Sequence, residues 1–127
     1  MEKPLKYLIL CLFFGSTLFA DQMIFENKSS YSRIALEWAT SAKVAQESNE
    51  ALLQGEEIHP SKLYSIKKSY SKITIPANVS YFRVVVWNNL SNTPELLTNW
   101  VEIVPNKTYQ LKNEHLTSAL LLNGMGC

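Results

Sequence analysis

Hydrophobic and polar residues alternate with a period of two along most of this chain, a pattern that is typical of β-strands rather than helices. The clearest case is RIALEWAT at 33–40, where Ile34, Leu36 and Trp38 fall on one face and the charged Glu37 falls on the other. This segment is predicted to be a strand with one buried face.

The segment YFRVVVWN at 81–88 predicts the strongest strand of the sequence. Phe82, Val84 and Val86 lie on one face, and the opposite face is also largely apolar. A strand that is apolar on both faces is expected to occupy a central position with cover on both sides. Trp87, at the end of this segment, is therefore expected in the core.

The other strand candidates are separated by turn-forming residues at intervals of about ten positions. They are QMIFEN, LYSIKKSYSKITIPA, LTNWVEIVP, TYQLKN and LTSALLLN. The turn-rich NKSSYS predicts that QMIFEN forms a hairpin with the strand at 33–40. The one helical candidate is a short helix or turn near 49–54, where Gly55 is placed to end it.

These segments give seven or eight short strands between Asp21 and Cys127. Such spacing predicts an all-β protein, an antiparallel β-sandwich with an immunoglobulin-like layout. The Cys–Trp–Cys pattern of true immunoglobulin domains is absent, so the prediction concerns architecture alone. A small closed β-barrel is the alternative.

Residues 1–20 have the features of a secretory signal peptide. Two lysines precede an apolar run at 8–14, and TLFA, which ends at Ala20, suits peptidase cleavage. The run is too short to span a bilayer, which takes ~20 apolar residues. We therefore expect export to the periplasm or the medium, and a single domain at 21–127 without a stable membrane span.

Charge and cysteine content narrow the classes of partner. Without residues 1–20, ten basic and ten acidic residues remain, and a neutral chain has no overall field to attract nucleic acid. Removal of Cys11 leaves Cys127 as the one cysteine. A lone thiol in an oxidising compartment is expected to form an intermolecular disulfide, in a homodimer or with a partner. The alternative is a thiol packed against the end of the sandwich.

The sequence contains no recognisable catalytic, cofactor or metal motif. It lacks a G-x-S-x-G elbow, an H-E-x-x-H helix and a glycine-rich phosphate loop, and it has two histidines, His59 and His115. A pair of His115 with Cys127 is disfavoured because chain ends usually fray. The acidic stretch at 47–57 lacks the spacing of a calcium loop. We expect no enzymatic activity, no cofactor and no metal.

Two surface features are candidates for binding. Trp87 and Trp100 flank the loop at 88–94, and together with Asn89 and Asn92 they are the candidate contacts for a ligand or partner. Burial in the core is the alternative role of the tryptophans, and it is expected for at least two of the three.

The second feature is the segment 62–72, which is rich in lysine and tyrosine. It predicts either a binding strip or an edge strand that lysines protect from aggregation. The zero net charge of the exported chain favours the protected edge.

These observations favour an exported, non-enzymatic protein that binds another protein through its surface, as an envelope component or a secreted factor. One alternative is a binder of carbohydrate or another small ligand through exposed tryptophans. A second alternative is an inhibitor of a secreted or host enzyme, in which the loop at 88–94 enters the cleft of the enzyme.

Overall fold

The computed structural model describes residues 21–119 except Asn89 and Ser91, and these residues form two packed β-sheets with one α-helix. The strands are β1 (Gln22–Asn27), β2 (Ile34–Ala39), β3 (Leu63–Ile66), β4 (Tyr70–Thr74), β5 (Tyr81–Val86), β6 (Leu96–Leu97), β7 (Val101–Glu102), β8 (Thr108–Leu111) and β9 (Thr117–Ser118). The helix is α1 (Ala42–Leu53), and short 3-10 helices occupy Pro60–Lys62 and Asn113–His115. The predicted all-β sandwich is confirmed, and the described strands do not close into a barrel.

The two sheets differ in width. The small sheet has three strands in the order β4-β1-β8, and the large sheet has six, in the order β3-β2-β5-β6-β9 with β7 also paired to β5. All pairs are antiparallel except β1 with β8, which run parallel.

The predicted hairpin of β1 with β2 is wrong, because the two strands belong to different sheets. Their apolar faces meet across the sandwich instead of lying side by side. Phe25 of β1 and Leu36 of β2 are both part of the buried cluster between the sheets. This arrangement buries both apolar faces, whereas an isolated hairpin would leave them in water.

The main core lies between the sheets and comes from the period-two faces of the strands. Its buried members are Met23, Phe25, Ile34, Leu36, Trp38, Ile66, Ile73, Ile75, Phe82, Val84, Val86 and Leu111. The predicted inward residues of β2 and β5 are all in this cluster. The central position of β5 is confirmed, since it pairs with β2, β6 and β7.

A second apolar layer covers the outer face of the large sheet. Ala35, Val85 and Leu97 are buried there, and Leu52 of α1 packs against them. All six residues of β2 are consequently buried, although the sequence predicted a strand with one solvent-facing side.

Helix α1 begins earlier than the predicted position near 49–54. Ser41 is its N-cap, and the Ser41 Oγ accepts a hydrogen bond from the Val44 N–H at 3.2 Å. Gly55 follows the helix with φ of +80°, a conformation that favours glycine. No helix within 21–119 is both long and apolar enough to cross a membrane.

Candidate binding site

A cleft opens between the two sheets alongside β8. The small sheet ends at β8, whereas the large sheet has further strands in β6, β7 and β9. Among the described residues, part of the inner face of the large sheet therefore has no strand opposite it. The resulting cleft has a volume of about 460 Å³.

The base of this cleft is apolar and its rim is polar. Phe25, Phe82, Val84 and Leu111, all buried, contribute to the base. The polar lining residues are Thr98, Asn99, Gln110, Glu114, His115 and Thr117. A concave apolar surface with a few polar groups at its edge is the usual composition of a ligand or peptide site.

Tyr109 is a fixed wall of the cleft. Its ring packs edge-to-face on Phe82, with centroids 4.9 Å apart. The Tyr109 hydroxyl accepts a hydrogen bond from the Val104 N–H at 2.8 Å and lies 3.4 Å from the Glu102 carbonyl oxygen, to which it donates. These bonds attach β8 to Glu102 of β7 and to Val104, which follows it.

The backbone of β8 is accessible from the cleft side. Within the described part of the chain, β8 pairs with β1 alone. The Ile24 N–H donates to the Lys107 carbonyl (3.0 Å) and the Lys28 N–H donates to the Leu111 carbonyl (2.8 Å). Because strand residues alternate in direction, the backbone N–H and C=O of Gln110 point away from β1. A fourth strand would bond to the small sheet at this edge.

Thr98 interrupts the large sheet at the wall of the cleft. Its Oγ1 accepts from the Val84 N–H at 2.9 Å and donates to the Asn99 carbonyl at 2.9 Å. A side chain thus takes the place of a backbone partner in the ladder. The segment LTNWVEIVP, predicted as one strand, is for this reason divided into β6 and β7.

A buried ion pair lies on the opposite side of the large sheet, under α1. Glu37 and Arg83 are each 1% exposed, and the Arg83 Nε donates to the Glu37 Oε1 at 2.7 Å. Ser48 of α1 donates its hydroxyl to the other carboxylate oxygen. Arg83 also donates to the Ser48 Oγ at 3.1 Å and to the Asn49 Oδ1 at 2.7 Å.

Trp100 closes this network. Its Nε1 donates to the Asn49 Oδ1 at 3.1 Å, and its ring lies 4.4 Å from the Arg83 guanidinium carbon. Burial lowers the pKa of Arg83 from its ordinary value, while the charge and the hydrogen bond of Glu37 act in the opposite direction. The network joins α1 to β2 and β5 with each charge hydrogen-bonded, which is the requirement for burying an ion pair.

The structure separates the two tryptophans that the sequence proposed as binding residues. Trp87 follows β5, donates its Nε1–H to the Asn92 carbonyl at 3.1 Å, and lies under Arg33, 5.5 Å from the ring centroid. Trp100 instead packs on Arg83, near the other end of β5. Trp87 and Asn92 are thus brought together, whereas Trp87 and Trp100 have different neighbours.

The expectation that at least two tryptophans are core residues is wrong. Trp38 is buried between the sheets, whereas Trp87 and Trp100 are half-buried. Each of these two needs a partner for its indole N–H, and the partners are the Asn92 carbonyl for Trp87 and the Asn49 side chain for Trp100. Asn89 and Cys127 lie outside the described residues, so the contact of Asn89 and the intermolecular disulfide of Cys127 stay predictions.

Sequence reasoning missed both the cleft and the ion pair. The ion pair had a signal, since Glu37 and Arg83 are opposite charges in two otherwise apolar strands. No sequence pattern indicated the cleft, because its existence depends on which strands share a sheet. Within the described residues, no group of three or more His, Cys, Asp or Glu is arranged to hold a metal ion.

No protein family matches the sequence, and no curated protein matches it significantly.

Proposed function

We propose that this chain is an exported, non-enzymatic binding protein, and that the cleft beside β8 holds an extended segment of another protein. The observation that carries the proposal is the apolar cleft of about 460 Å³ next to the open edge of β8. Export rests on the signal-like residues 1–20, so mature protein from the native host should begin at Asp21 in intact-mass analysis.

An extended peptide suits this site better than a compact small molecule. A peptide strand beside β8 forms backbone hydrogen bonds with the Gln110 N–H and C=O, and these bonds supply affinity. Alternate side chains of such a strand point to one face, so every second apolar side chain enters the cleft. The cleft base formed by Phe82 and Val84 favours apolar residues at those positions.

The carbohydrate alternative, which requires exposed tryptophans, has less support. The indole N–H groups of Trp87 and Trp100 already have acceptors within the chain. The two rings also face different neighbours, Arg33 and Arg83.

Gln110→Pro is expected to weaken binding of cleft-directed peptides by about tenfold or more, because it removes the outward N–H and adds a ring at the edge. Peptides would be selected from a random display library on the purified protein, and their Kd measured by fluorescence polarisation. Proline is tolerated where the N–H of an edge strand faces outward, so the ladder with β1 is kept.

Thr74→Pro is the matched control on the opposite edge of the small sheet. The Ile75 N–H donates to the Asp21 carbonyl at 2.8 Å, so the backbone of Thr74 points away from β1. This variant should leave peptide affinity within about twofold of the original. Gln110→Ala keeps the N–H and reports separately on the lost contact of the Gln110 Nε2 with Glu26 Oε1. Equal affinity of the original and Gln110→Pro proteins would exclude strand addition at β8.

One observation favours the inhibitor function as a second candidate. Leu90, in the loop at 88–94, is 98% exposed, and the hydrogen bond from Trp87 to Asn92 closes the base of that loop. An exposed leucine on a closed loop is suited to insertion into an apolar pocket of an enzyme. Leu90→Asp would abolish inhibition of a target enzyme and leave peptide binding at β8 unchanged.

A further inference from the structure

Two shallow grooves meet beside the turn that joins β3 to β4, and one of them extends to the start of β2 and to the residue after β5. One groove, of about 280 Å³, is lined by Ser32, Arg33, Ile34, Ser65, Ile66, Lys67 and Trp87. The other, of about 240 Å³, is lined by Tyr64, Ser65, Lys67, Lys68, Tyr70, Ser71 and Lys72. Ser65 and Lys67 belong to both, so the grooves form one continuous surface, called here the basic groove.

The described lining of the basic groove contains several cations and no acidic side chain. Arg33, Lys67, Lys68 and Lys72 line it, and no aspartate or glutamate is among the described residues of either lining. The acidic side chains gather elsewhere, for example in the cavity beside α1 that Glu47, Glu56 and Glu57 line. The total charge is neutral, but the potential at the basic groove is positive, and a local positive potential attracts polyanions.

Aromatic rings lie between these cations. Tyr70 is 54% exposed, and Tyr64 is also exposed while its ring rests edge-on against the buried Trp38, with centroids 6.5 Å apart. An exposed ring that is braced from below presents a fixed face to a ligand. Such faces stack on planar or ring-shaped groups, and the flanking lysines supply charge-assisted hydrogen bonds.

The lysines also fit the expected protection of edge strands, since β3 is an edge of the large sheet and β4 an edge of the small sheet. Protection accounts for the lysines alone. It does not account for two exposed tyrosines, or for the lack of carboxylates among the described residues that line the two grooves.

We infer that the basic groove binds an anionic polysaccharide, with the acidic groups of the polymer on Lys67, Lys68 and Lys72 and its sugar rings on Tyr64 and Tyr70. A continuous groove is better suited to a chain-like ligand than to a flat membrane surface. The serine hydroxyls of the lining bond sugar hydroxyls, which a lipid headgroup layer does not present in a row. The site is separate from the cleft, because β4 and β8 are opposite edges of the small sheet.

The test uses dextran sulfate as the probe and unsulfated dextran as the neutral reference, with Kd measured by calorimetry on the full exported chain. The protein should bind dextran sulfate, with affinity that falls as salt rises, and should not bind dextran. The double variant Lys67→Gln/Lys68→Gln should weaken binding by about tenfold or more. Tyr70→Ala should weaken it by about threefold to tenfold, and Tyr70→Phe should restore it.

Lys43→Gln/Lys107→Gln is the matched control, since it removes the same charge from exposed lysines outside the groove. An equal loss in this control and in Lys67→Gln/Lys68→Gln, or an unchanged Kd in Tyr70→Ala, would mean that only non-specific charge attraction occurs. Tighter binding to vesicles of anionic phospholipid or to a single-stranded oligodeoxynucleotide than to dextran sulfate would overturn the assignment to a polysaccharide. Absence of binding to dextran sulfate would overturn it as well. Thermal melts of every variant exclude unfolding as the cause of a loss.

Discussion

Arg83→Ala is expected to lower the free energy of unfolding by about 3–5 kcal/mol, a large fraction of the stability of a single domain. The change leaves the carboxylate of Glu37, 1% exposed, without its cation. It also removes a hydrogen-bond donor from Asn49 and the cation above the ring of Trp100. Urea unfolding followed by circular dichroism measures the loss.

The control for this prediction removes both charges together. Glu37→Leu/Arg83→Met is expected to be clearly less destabilising than the sum of the single variants, because it leaves no buried charge alone. Arg33→Ala removes an exposed arginine that stacks on Trp87 and should cost less than about 1 kcal/mol. A loss below about 1 kcal/mol in Arg83→Ala would show that water reaches Glu37 and that α1 does not seal the pair.

The strands were largely predictable from the sequence because their signal is local. The alternation in 81–88 indicated β5, and the two-sided apolar character indicated its central position, which the pairing with β2, β6 and β7 confirms. Helix α1 was predicted too short. The helix begins after the cap at Ser41. Residues 42–48 have no apolar stripe, so their sequence pattern does not distinguish a helix from a loop.

The partition of strands between the sheets was not predictable in the same way. The segment NKSSYS is a reasonable hairpin turn, yet the chain crosses from one sheet to the other there. The parallel pairing of β1 with β8 joins residues about eighty positions apart, and no local pattern encodes such a contact. The cleft follows from this partition, so the local pattern of TYQLKN indicated a strand but not a binding edge.

The two edges of the small sheet differ in a way that supports a division of roles. At β4 the exposed side chains include Lys72 and Tyr70, and a charged edge resists the addition of another strand. At β8 the exposed side chains are those of Thr108 and Gln110, which are neutral, and an apolar cleft lies beside the strand. Strand addition is therefore favoured at β8, whereas the β4 edge is suited to a charged, non-peptide ligand.

Phe82→Ala is expected to lower the free energy of unfolding by about 3–5 kcal/mol, through lost apolar burial and the cavity that remains. Phe82 is 3% exposed, lies in the intersheet cluster, and packs edge-to-face on Tyr109. Its ring is thus a link from the centre of the large sheet to the edge of the small sheet. Guanidinium unfolding of the purified variant measures the loss.

The same substitution also tests the cleft, because Phe82 is part of its base. Peptides selected against the original protein should bind Phe82→Ala at least about tenfold more weakly. The Kd is measured at a temperature well below the melting transition of the variant. The control Tyr109→Phe keeps the aromatic contact and removes only the hydroxyl that bonds to Val104 and Glu102. It should lower the free energy of unfolding by about 1 kcal/mol and leave peptide affinity nearly unchanged. A folded Phe82→Ala protein with full peptide affinity would show that the peptides bind elsewhere. A stability loss no larger than that of Tyr109→Phe would show that the small sheet does not depend on Phe82 for its packing.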